Sequence, residues 1–299
     1  MSRYRGRTTA GLLLVTLIGA AACGHHASDP IQAAYAAPGP YPTTTGTVTD
    51  ATGTVIYKVF HPMDYAALGF KSPIVTWGNG TGGTPDNTST FLTHLASYGF
   101  TVIGTTLPNT GSGKEIDAAA QYLVAQNGAP GSVFYSHLDV TKVAAVGASQ
   151  GAGGAVRTAT NDPSLIKTVL TFSLPNTFWV GPNPDCPTRA DCVFDPAALT
   201  QPIFFISTHG PFDAVIASPA TERAFFHSTT VHAALGIIMF SDHMLADHAS
   251  IGTNPGGFLG YATAWLEYQL RGDVTAAGAF TGPHPELVSN TNWPGSTTK

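Results

Sequence analysis

The stretch Gly147-Ala148-Ser149-Gln150-Gly151 has the form Gly-X-Ser-X-Gly, and its surroundings decide the fold. It directly follows the apolar run Val143–Val146 and leads into a series of small residues. A serine on a sharp turn between a strand and a helix exposes its hydroxyl at the end of a sheet, and small neighbours leave room for that turn. The pattern therefore predicts a nucleophilic Ser149, with a tightly packed turn that carries no chemistry as the alternative.

The sequence on both sides of this motif alternates between short β-branched runs and longer amphipathic stretches. The runs predict strands at Thr47–Thr49, Thr54–Phe60, Ile74–Trp77, Thr101–Thr106, Val143–Val146, Thr168–Phe172, Ile203–Ser207 and Ala233–Phe240. The amphipathic stretches predict helices at Asn87–Tyr98, Lys114–Gln126 and Gln150–Thr160, and near Pro219–His227 and Phe258–Leu270. Strands that alternate with helices imply a mostly parallel, twisted sheet with helices on both faces. We therefore predict a single α/β domain.

The N-terminus has the layout of an export signal. Three arginines in the first seven positions precede the apolar run Gly11–Ala22, which is typical of a signal peptide over residues 1–22. Small residues lead into Cys23 as in a bacterial lipobox, although the usual leucine is absent. We therefore expect a bacterial extracytoplasmic protein, either secreted or held at the cell envelope by a lipidated Cys23 as a membrane tether. Residues 23–45 show no periodicity and predict a flexible tether ahead of a folded domain over 46–299.

Two cysteines, Cys186 and Cys192, remain in that domain. Because an exported protein folds in oxidising surroundings, we expect them to form a disulfide worth about 2 kcal/mol. Two unpaired thiols are the alternative. Around Cys186 and Cys192 there is no Cys-X-X-Cys pair and no neighbouring histidine, so no metal site is predicted.

Composition limits the kind of partner. Charged residues make up 10% of the 299 positions, against about 25% in ordinary soluble proteins. The formal net charge is −5, and the three N-terminal arginines leave the rest of the chain still more negative. A nucleic-acid surface needs a cationic field, so this class of partner is excluded. A neutral or apolar partner fits instead.

A serine hydroxyl needs a base, and the base needs an acid to orient it. Asp213 lies six residues after the predicted strand Ile203–Ser207 and fits the acid, with a solvated loop aspartate as the alternative. Two histidines follow the last predicted strand. We favour His243 because it lies closer to the end of the strand, and His248 remains the alternative base.

The chemistry also needs donors for a developing oxyanion, which typically contribute about 3 kcal/mol each. The N–H of Gln150, directly after the nucleophile, is one expected donor. The second is expected in the glycine-rich loop Gly78–Gly83, where the backbone is able to approach a substrate closely. Read alone, this loop resembles a phosphate cradle, but it lacks the Lys-Ser/Thr of a Walker loop.

From Thr47 to Gly282 the chain resembles the α/β-hydrolase superfamily and, within it, the bacterial cutinase and polyester-hydrolase group. Three segments carry the resemblance. Leu95–Ile103 is similar to the group's "LASHGFVVI", Gly147–Gly154 to its "GHSMGGGG", and Tyr261–Leu266 to the "YSVAWL" helix that follows its catalytic histidine.

The resemblance implies a nucleophile at Ser149, an acid at Asp213 and oxyanion residues at Thr81 and Gln150. It places the family's cleft tryptophan at Trp179, and we expect Gly80, Phe178 and Trp179 to contact substrate. For the base it is divided, because spacing from Asp213 favours His243 whereas spacing back from Trp265 favours His248. Thr81 and Gln150 depart from the family's pattern, which has an aromatic residue and a methionine there.

The expected function is therefore an exported serine carboxylic-ester hydrolase. It would use a Ser-His-Asp triad and an acyl-enzyme to cleave short or medium acyl esters or polyesters, as a monomer and without a cofactor. The alternatives are a lipase, a polyhydroxyalkanoate depolymerase or an acyltransferase on the same fold. A hydrolase-fold lipoprotein that binds without catalysis is the alternative from a different class.

Overall fold

The computed structural model describes residues 29–239, 241–247 and 257–299. The predicted signal peptide, Cys23 and His248 lie outside these residues. Within them, no helix combines the length and the apolar character that crossing a membrane requires.

The described strands form one nine-stranded sheet in the order β1-β2-β4-β3-β5-β6-β7-β8-β9. Their bounds are β1 (Thr43–Thr49), β2 (Val55–Pro62), β3 (Ser72–Gly78), β4 (Thr101–Thr105), β5 (Leu138–Ala148), β6 (Ile166–Phe172), β7 (Ile203–Thr208), β8 (Ala233–Ile238) and β9 (Thr297–Thr298). The pairings from β4 through β3 to β8 are parallel, and those of β1, β2 and β9 are antiparallel. This topology confirms the predicted mostly parallel sheet.

Helices cover both faces of the sheet, as predicted. Their bounds are α1 (Pro30–Ala36), α2 (Ser89–Ser97), α3 (Lys114–Asn127), α4 (Gln150–Asn161), α5 (Asp213–Ile216), α6 (Pro219–Ser228), α7 (Leu259–Leu266), α8 (Val274–Ala277) and α9 (Glu286–Ser289). Residues of α1, α2 and α7 share one buried cluster, and residues of α3, α4 and α6 share the other. Neighbouring residues of a strand enter opposite clusters, as Phe204 and Phe205 do. The strands are therefore apolar on both faces.

The prediction of a flexible tether over 23–45 is wrong for residues 29–45. Helix α1 packs against α7, and the backbone N–H of Gln32 donates to Glu286 Oε1 at 2.7 Å. Strand β1 begins at Thr43, before the predicted domain boundary. The contacts that order this segment come from residues distant in the sequence, including Glu286, Ser97 and strand β2, so its local composition does not reveal them.

Candidate active site

Ser149 occupies a sharp turn between β5, which ends at Ala148, and α4, which begins at Gln150. Its φ is 52°, in the left-handed region that side chains rarely adopt. Its backbone N–H donates to the Phe172 carbonyl of the adjacent strand β6 at 2.9 Å. The structure thus confirms the predicted strand-turn-helix geometry, in which surrounding contacts sustain a locally strained residue.

Two glycines make this turn sterically possible. A Cβ at position 147 would lie 2.2 Å from the Gly151 carbonyl oxygen. A Cβ at position 151 would lie 2.2 Å from the carbonyl oxygen of Gly78, at the end of β3. Real Cβ atoms do not approach oxygen so closely, so glycine at both positions lets the start of α4 pack against β3. This packing places the Gly78–Gly83 loop beside Ser149.

Asp213 begins the short helix α5, five residues after the end of β7, and its side chain is fully buried. One carboxylate oxygen, Oδ2, accepts hydrogen bonds from Ser173 Oγ at 2.9 Å and from Thr208 Oγ1. The other, Oδ1, lies 2.6 Å from His243 Nδ1. A buried carboxylate needs donors of this kind. Asp213 is therefore not a solvated loop residue.

His243 follows β8 and lies between Ser149 and Asp213. Its Nδ1 faces Asp213 Oδ1, and its Nε2 lies 2.7 Å from Ser149 Oγ. Because an ionised carboxylate has no proton to donate, Nδ1 carries the hydrogen and Nε2 is free to accept from the serine hydroxyl. The structure brings Ser149, His243 and Asp213 into hydrogen-bond contact. The alternative base, His248, lies outside the described residues.

The two residues expected to supply oxyanion donors, Thr81 and Gln150, both lie close to Ser149. Gln150 N–H belongs to the first residue of α4, and Thr81 shares the walls of two cavities with Ser149. Neither N–H donates to an acceptor within the described parts of the chain. The side chain of Gln150 is bound to another loop, because its Oε1 accepts a hydrogen bond from the N–H of Thr110 at 3.1 Å. Both backbone N–H groups are thus unpaired next to the serine.

A larger cavity of about 360 Å³ and a smaller one of about 190 Å³ meet at Ser149. Gly80 and His243 line the larger cavity, and Trp179 lines the smaller one. Phe178 was expected beside the substrate, but its side chain is 71% exposed and lines neither cavity. Trp179, which was expected there as well, does line the smaller cavity, and its indole N–H donates to the Val215 carbonyl at 3.2 Å.

Three residues near the site were not predicted from the sequence. Phe212 lines the larger cavity, and its ring centre lies 5.3 Å from that of His243. Ser173 and Thr208 hold Asp213 from the carboxyl ends of β6 and β7. Polar residues at the ends of parallel strands are a recognisable signal, because ligand sites collect at that edge of an α/β sheet.

The predicted disulfide is present between Cys186 and Cys192, with the Cα atoms 5.5 Å apart. The cysteines are therefore not free thiols. Cys192 lines the smaller cavity, and the guanidinium of Arg157 on α4 donates to the carbonyls of Ala190 and Val193 in the same loop. The side chain of Asp185 lies close to both sulfurs, but the disulfide leaves no thiolate to bind a metal. The bridged loop thus forms a fixed wall of the site.

Comparison with protein families supports the α/β-hydrolase fold. A family described as PET hydrolase-like matches residues 20–180, which is more than half of the chain. The matched region includes the Gly78–Gly83 loop and Ser149, and it ends before Asp213 and His243. No curated protein matches the chain significantly. On the family match, the chain belongs to the PET hydrolase-like family, within the α/β-hydrolase superfamily of cutinases and polyester hydrolases.

Proposed function

We propose that the protein is a serine hydrolase of carboxylic esters, including polyesters, that acts through a covalent acyl-enzyme. One observation carries the proposal: the imidazole of His243 lies between Ser149 Oγ and the buried carboxylate of Asp213. Membership of a polyester-hydrolase family supports ester hydrolysis in general. The arrangement of these three side chains supports the serine mechanism.

In the first half of the reaction, Ser149 Oγ adds to the ester carbonyl carbon while His243 Nε2 takes the hydroxyl proton. The carbonyl oxygen, on which negative charge develops, accepts hydrogen bonds from the N–H groups of Thr81 and Gln150. The intermediate then collapses, and the bond to the alcohol oxygen breaks. His243 returns its proton to that oxygen, so a neutral alcohol leaves and the acyl group stays on Ser149.

In the second half, water replaces the alcohol. His243 takes a proton from the water, the resulting hydroxide attacks the acyl carbon, and the bond to Ser149 Oγ breaks as His243 returns the proton to it. The sum is one ester and one water consumed, and one acid and one alcohol released. Asp213 stays ionised throughout and stabilises the imidazolium that forms twice in the cycle.

The two cavities suggest how the ester is oriented. The leaving alcohol must lie within reach of His243, and His243 lines the larger cavity but not the smaller one. The larger cavity therefore suits the alcohol half of the ester, and the smaller one suits the acyl half. The low share of charged residues agrees with an uncharged substrate.

The decisive experiment compares wild type with Ser149→Ala on short-chain chromogenic esters. We expect a rate loss of at least about 10³-fold, because no other group replaces the nucleophile. Ser164→Ala is a matched control, since the Ser164 hydroxyl donates to Asp162 on the surface. A fluorophosphonate should label wild type and Ser164→Ala once, but not Ser149→Ala. Equal hydrolysis by wild type and Ser149→Ala would refute the mechanism.

The substrate class needs its own measurement. Release of soluble products from a polyester film, compared with hydrolysis of triglycerides of increasing chain length, separates a polyesterase from a lipase. Transfer of the acyl group to an added alcohol would identify an acyltransferase. A protein that only binds would remain unlabelled by the fluorophosphonate.

Export is also part of the proposal. It is supported by the arginines and the apolar run within residues 1–22 and by the cysteine that follows them. Mass spectrometry of the mature protein from a bacterial host tests it. Cleavage before Cys23 with an added lipid mass would identify a lipoprotein, cleavage without that mass a secreted protein, and an uncleaved N-terminus would contradict export.

A further inference from the structure

Glu222 on α6 is a buried carboxyl group that the proposed chemistry does not use. Its side chain is fully buried, and its Oε1 accepts a hydrogen bond from the backbone N–H of Leu174 at 2.6 Å. Its Oε2 has no hydrogen-bond partner among the described residues. Polar atoms are rarely left buried and unpaired, so the residue calls for a physical explanation.

The surroundings of Glu222 carry little charge. Its helix packs against β7, β8 and the turn Pro196–Ala198, and none of these three elements contains an ionisable side chain. Asp213 is the charged group that acts on it, with His243 one hydrogen bond further away. No lysine or arginine of the described chain forms a salt bridge with Glu222.

These surroundings favour the neutral acid. Burial is the main cause that raises the pKa of Glu222 well above its usual value, and the negative charge of Asp213 raises it further. The hydrogen bond from Leu174 N–H acts in the opposite direction. An ionised carboxylate at this position would be buried without a cation, which is strongly unfavourable.

Leu174 connects Glu222 to the candidate site. The preceding residue, Ser173, has a φ of 49°, and its hydroxyl donates to Asp213 Oδ2 at 2.9 Å. A serine keeps a left-handed backbone only when its neighbours hold it there. On one side, Ser173 N–H donates to the Ile206 carbonyl of β7 at 2.8 Å. On the other side, Glu222 holds the peptide that joins Ser173 to Leu174.

We propose that Glu222 is a positioning residue for Asp213, which it aligns through the Ser173–Leu174 peptide and the Ser173 hydroxyl. The inference rests on the proposed function, because the alignment of Asp213 affects a rate only if His243 acts as the base. Glutamine at position 222 has the same shape and retains an oxygen for Leu174 N–H. Leucine has a similar volume but offers no acceptor.

The first test compares these two variants at pH 7. For Glu222→Gln we expect kcat within about twofold of wild type, because the acceptor for Leu174 N–H remains. For Glu222→Leu we expect kcat to fall about tenfold with KM nearly unchanged, because a misaligned Asp213 weakens the base rather than ester binding. Equal kcat in wild type and Glu222→Leu would overturn the inference, as would a tenfold loss in Glu222→Gln.

A double-mutant cycle tests the route through Ser173. Ser173→Ala removes the hydroxyl that contacts Asp213 and leaves a side chain of similar backbone preference. If Glu222 acts through Ser173, the double variant Glu222→Leu/Ser173→Ala should be no slower than the slower single variant. Rate losses that multiply would show independent actions and would overturn the proposed route. Glu267→Gln is the matched control for altering a buried carboxyl, and it should leave kcat unchanged.

Hydrolysis by Ser149→Ala, measured beside that of Glu222→Leu, separates a failure of the proposed function from a failure of the inference about Glu222. If hydrolysis by wild type does not depend on Ser149, the proposed function fails. If it does depend on Ser149 and Glu222→Leu retains full kcat, only the present inference fails. Should Glu222→Leu not fold, Glu222→Met, which also offers no oxygen to Leu174 N–H, takes its place with the same expected loss of kcat, and an unchanged kcat would overturn the inference. The neutral acid has its own test, because the Tm advantage of Glu222→Gln over wild type should grow from pH 5 to pH 8. A constant difference would overturn the neutral acid.

Discussion

The Nε2 atom of His243 lies 2.7 Å from the Oγ atom of Ser149, although 94 positions separate the two residues. His243→Ala is therefore expected to lower kcat by about 10⁴-fold or more, since the serine loses its base. His248→Ala serves as the matched control and is expected to retain the wild-type rate. Steady-state kinetics on a soluble ester measures both, and the reverse result would assign the base to His248.

Phe212 contacts the His243 ring and lines the larger cavity, while 58% of its side chain is exposed. For Phe212→Ala we expect a KM about fivefold to tenfold higher for esters of bulky alcohols, because an apolar contact with the substrate is lost. The kcat should change little. Val274→Ala is the control, since Val274 is also an exposed apolar residue and lines neither cavity. An unchanged KM in Phe212→Ala would remove Phe212 from the binding surface.

The contact between Gly151 and Gly78 leaves no space for a side chain. Gly151→Ala is expected to lower the free energy of unfolding by about 1–3 kcal/mol and to reduce kcat, because the turn at Ser149 must shift. Urea unfolding and kinetics measure the two effects. Gly46→Ala on β1 is the control, because a Cβ there would meet no atom within 4 Å. Equal stability of the two variants would contradict the close packing.

The Cys186–Cys192 bridge closes a short loop that contributes to the smaller cavity. For Cys186→Ser/Cys192→Ser we expect about 2 kcal/mol less stability, because the unfolded chain gains freedom. The hydrogen bonds from Arg157 should still hold part of the loop. Thermal unfolding with and without a reducing agent provides the measurement. The reductant should lower the Tm of wild type and leave that of the variant unchanged.

Glu267 gives the stability a defined pH dependence. Burial raises the pKa of Glu267 to about 7, against the opposing effect of Arg271, whose Nη1 lies 2.9 Å from its carboxylate. A carboxyl whose pKa is raised on folding contributes stability below its unfolded pKa of 4.5, and this contribution is lost as the pH rises through 7. The loss amounts to at most about 3 kcal/mol.

Denaturant unfolding of wild type and Glu267→Gln between pH 4 and pH 8 measures this effect. The glutamine cannot titrate, so its stability should fall less than that of wild type over this interval. Parallel curves for the two proteins would show that Glu267 has an ordinary pKa in the folded state.

Part of the site can be predicted from residues that are close together in the sequence. The turn at Ser149 was predictable because an apolar strand, small residues and a helix follow one another within a few positions. The preferences of residues for a strand, a tight turn or a helix act over that short distance. The same holds for the strands of the sheet centre, whose apolar runs reflect burial on both faces. Asp213 was predictable by its position after β7, although its complete burial was not.

Other features depend on residues that meet only in the folded chain. Ser173 and Asp213 are 40 positions apart, and Gln32 and Glu286 are 254 positions apart. No local pattern marks such pairs, so the folded segment at residues 29–45 was mistaken for a tether. Glu222 likewise has the pattern of an ordinary polar residue of an amphipathic helix, and only the packing of α6 in the folded chain shows that its carboxyl is buried.

The sequence by itself determined the α/β architecture, the turn at Ser149 and the order of Ser149, Asp213 and a later histidine along the chain. These follow from periodicity and steric preference, which act between near neighbours. The tertiary structure decided that His243 contacts both Ser149 and Asp213 and that Ser173 and Thr208 donate hydrogen bonds to Asp213. It also decided that the disulfide-bridged loop lines the smaller cavity. Those contacts form because the carboxyl ends of parallel strands lie together at one edge of the sheet. The strands come from distant parts of the sequence, so their ends meet only when the whole sheet has formed.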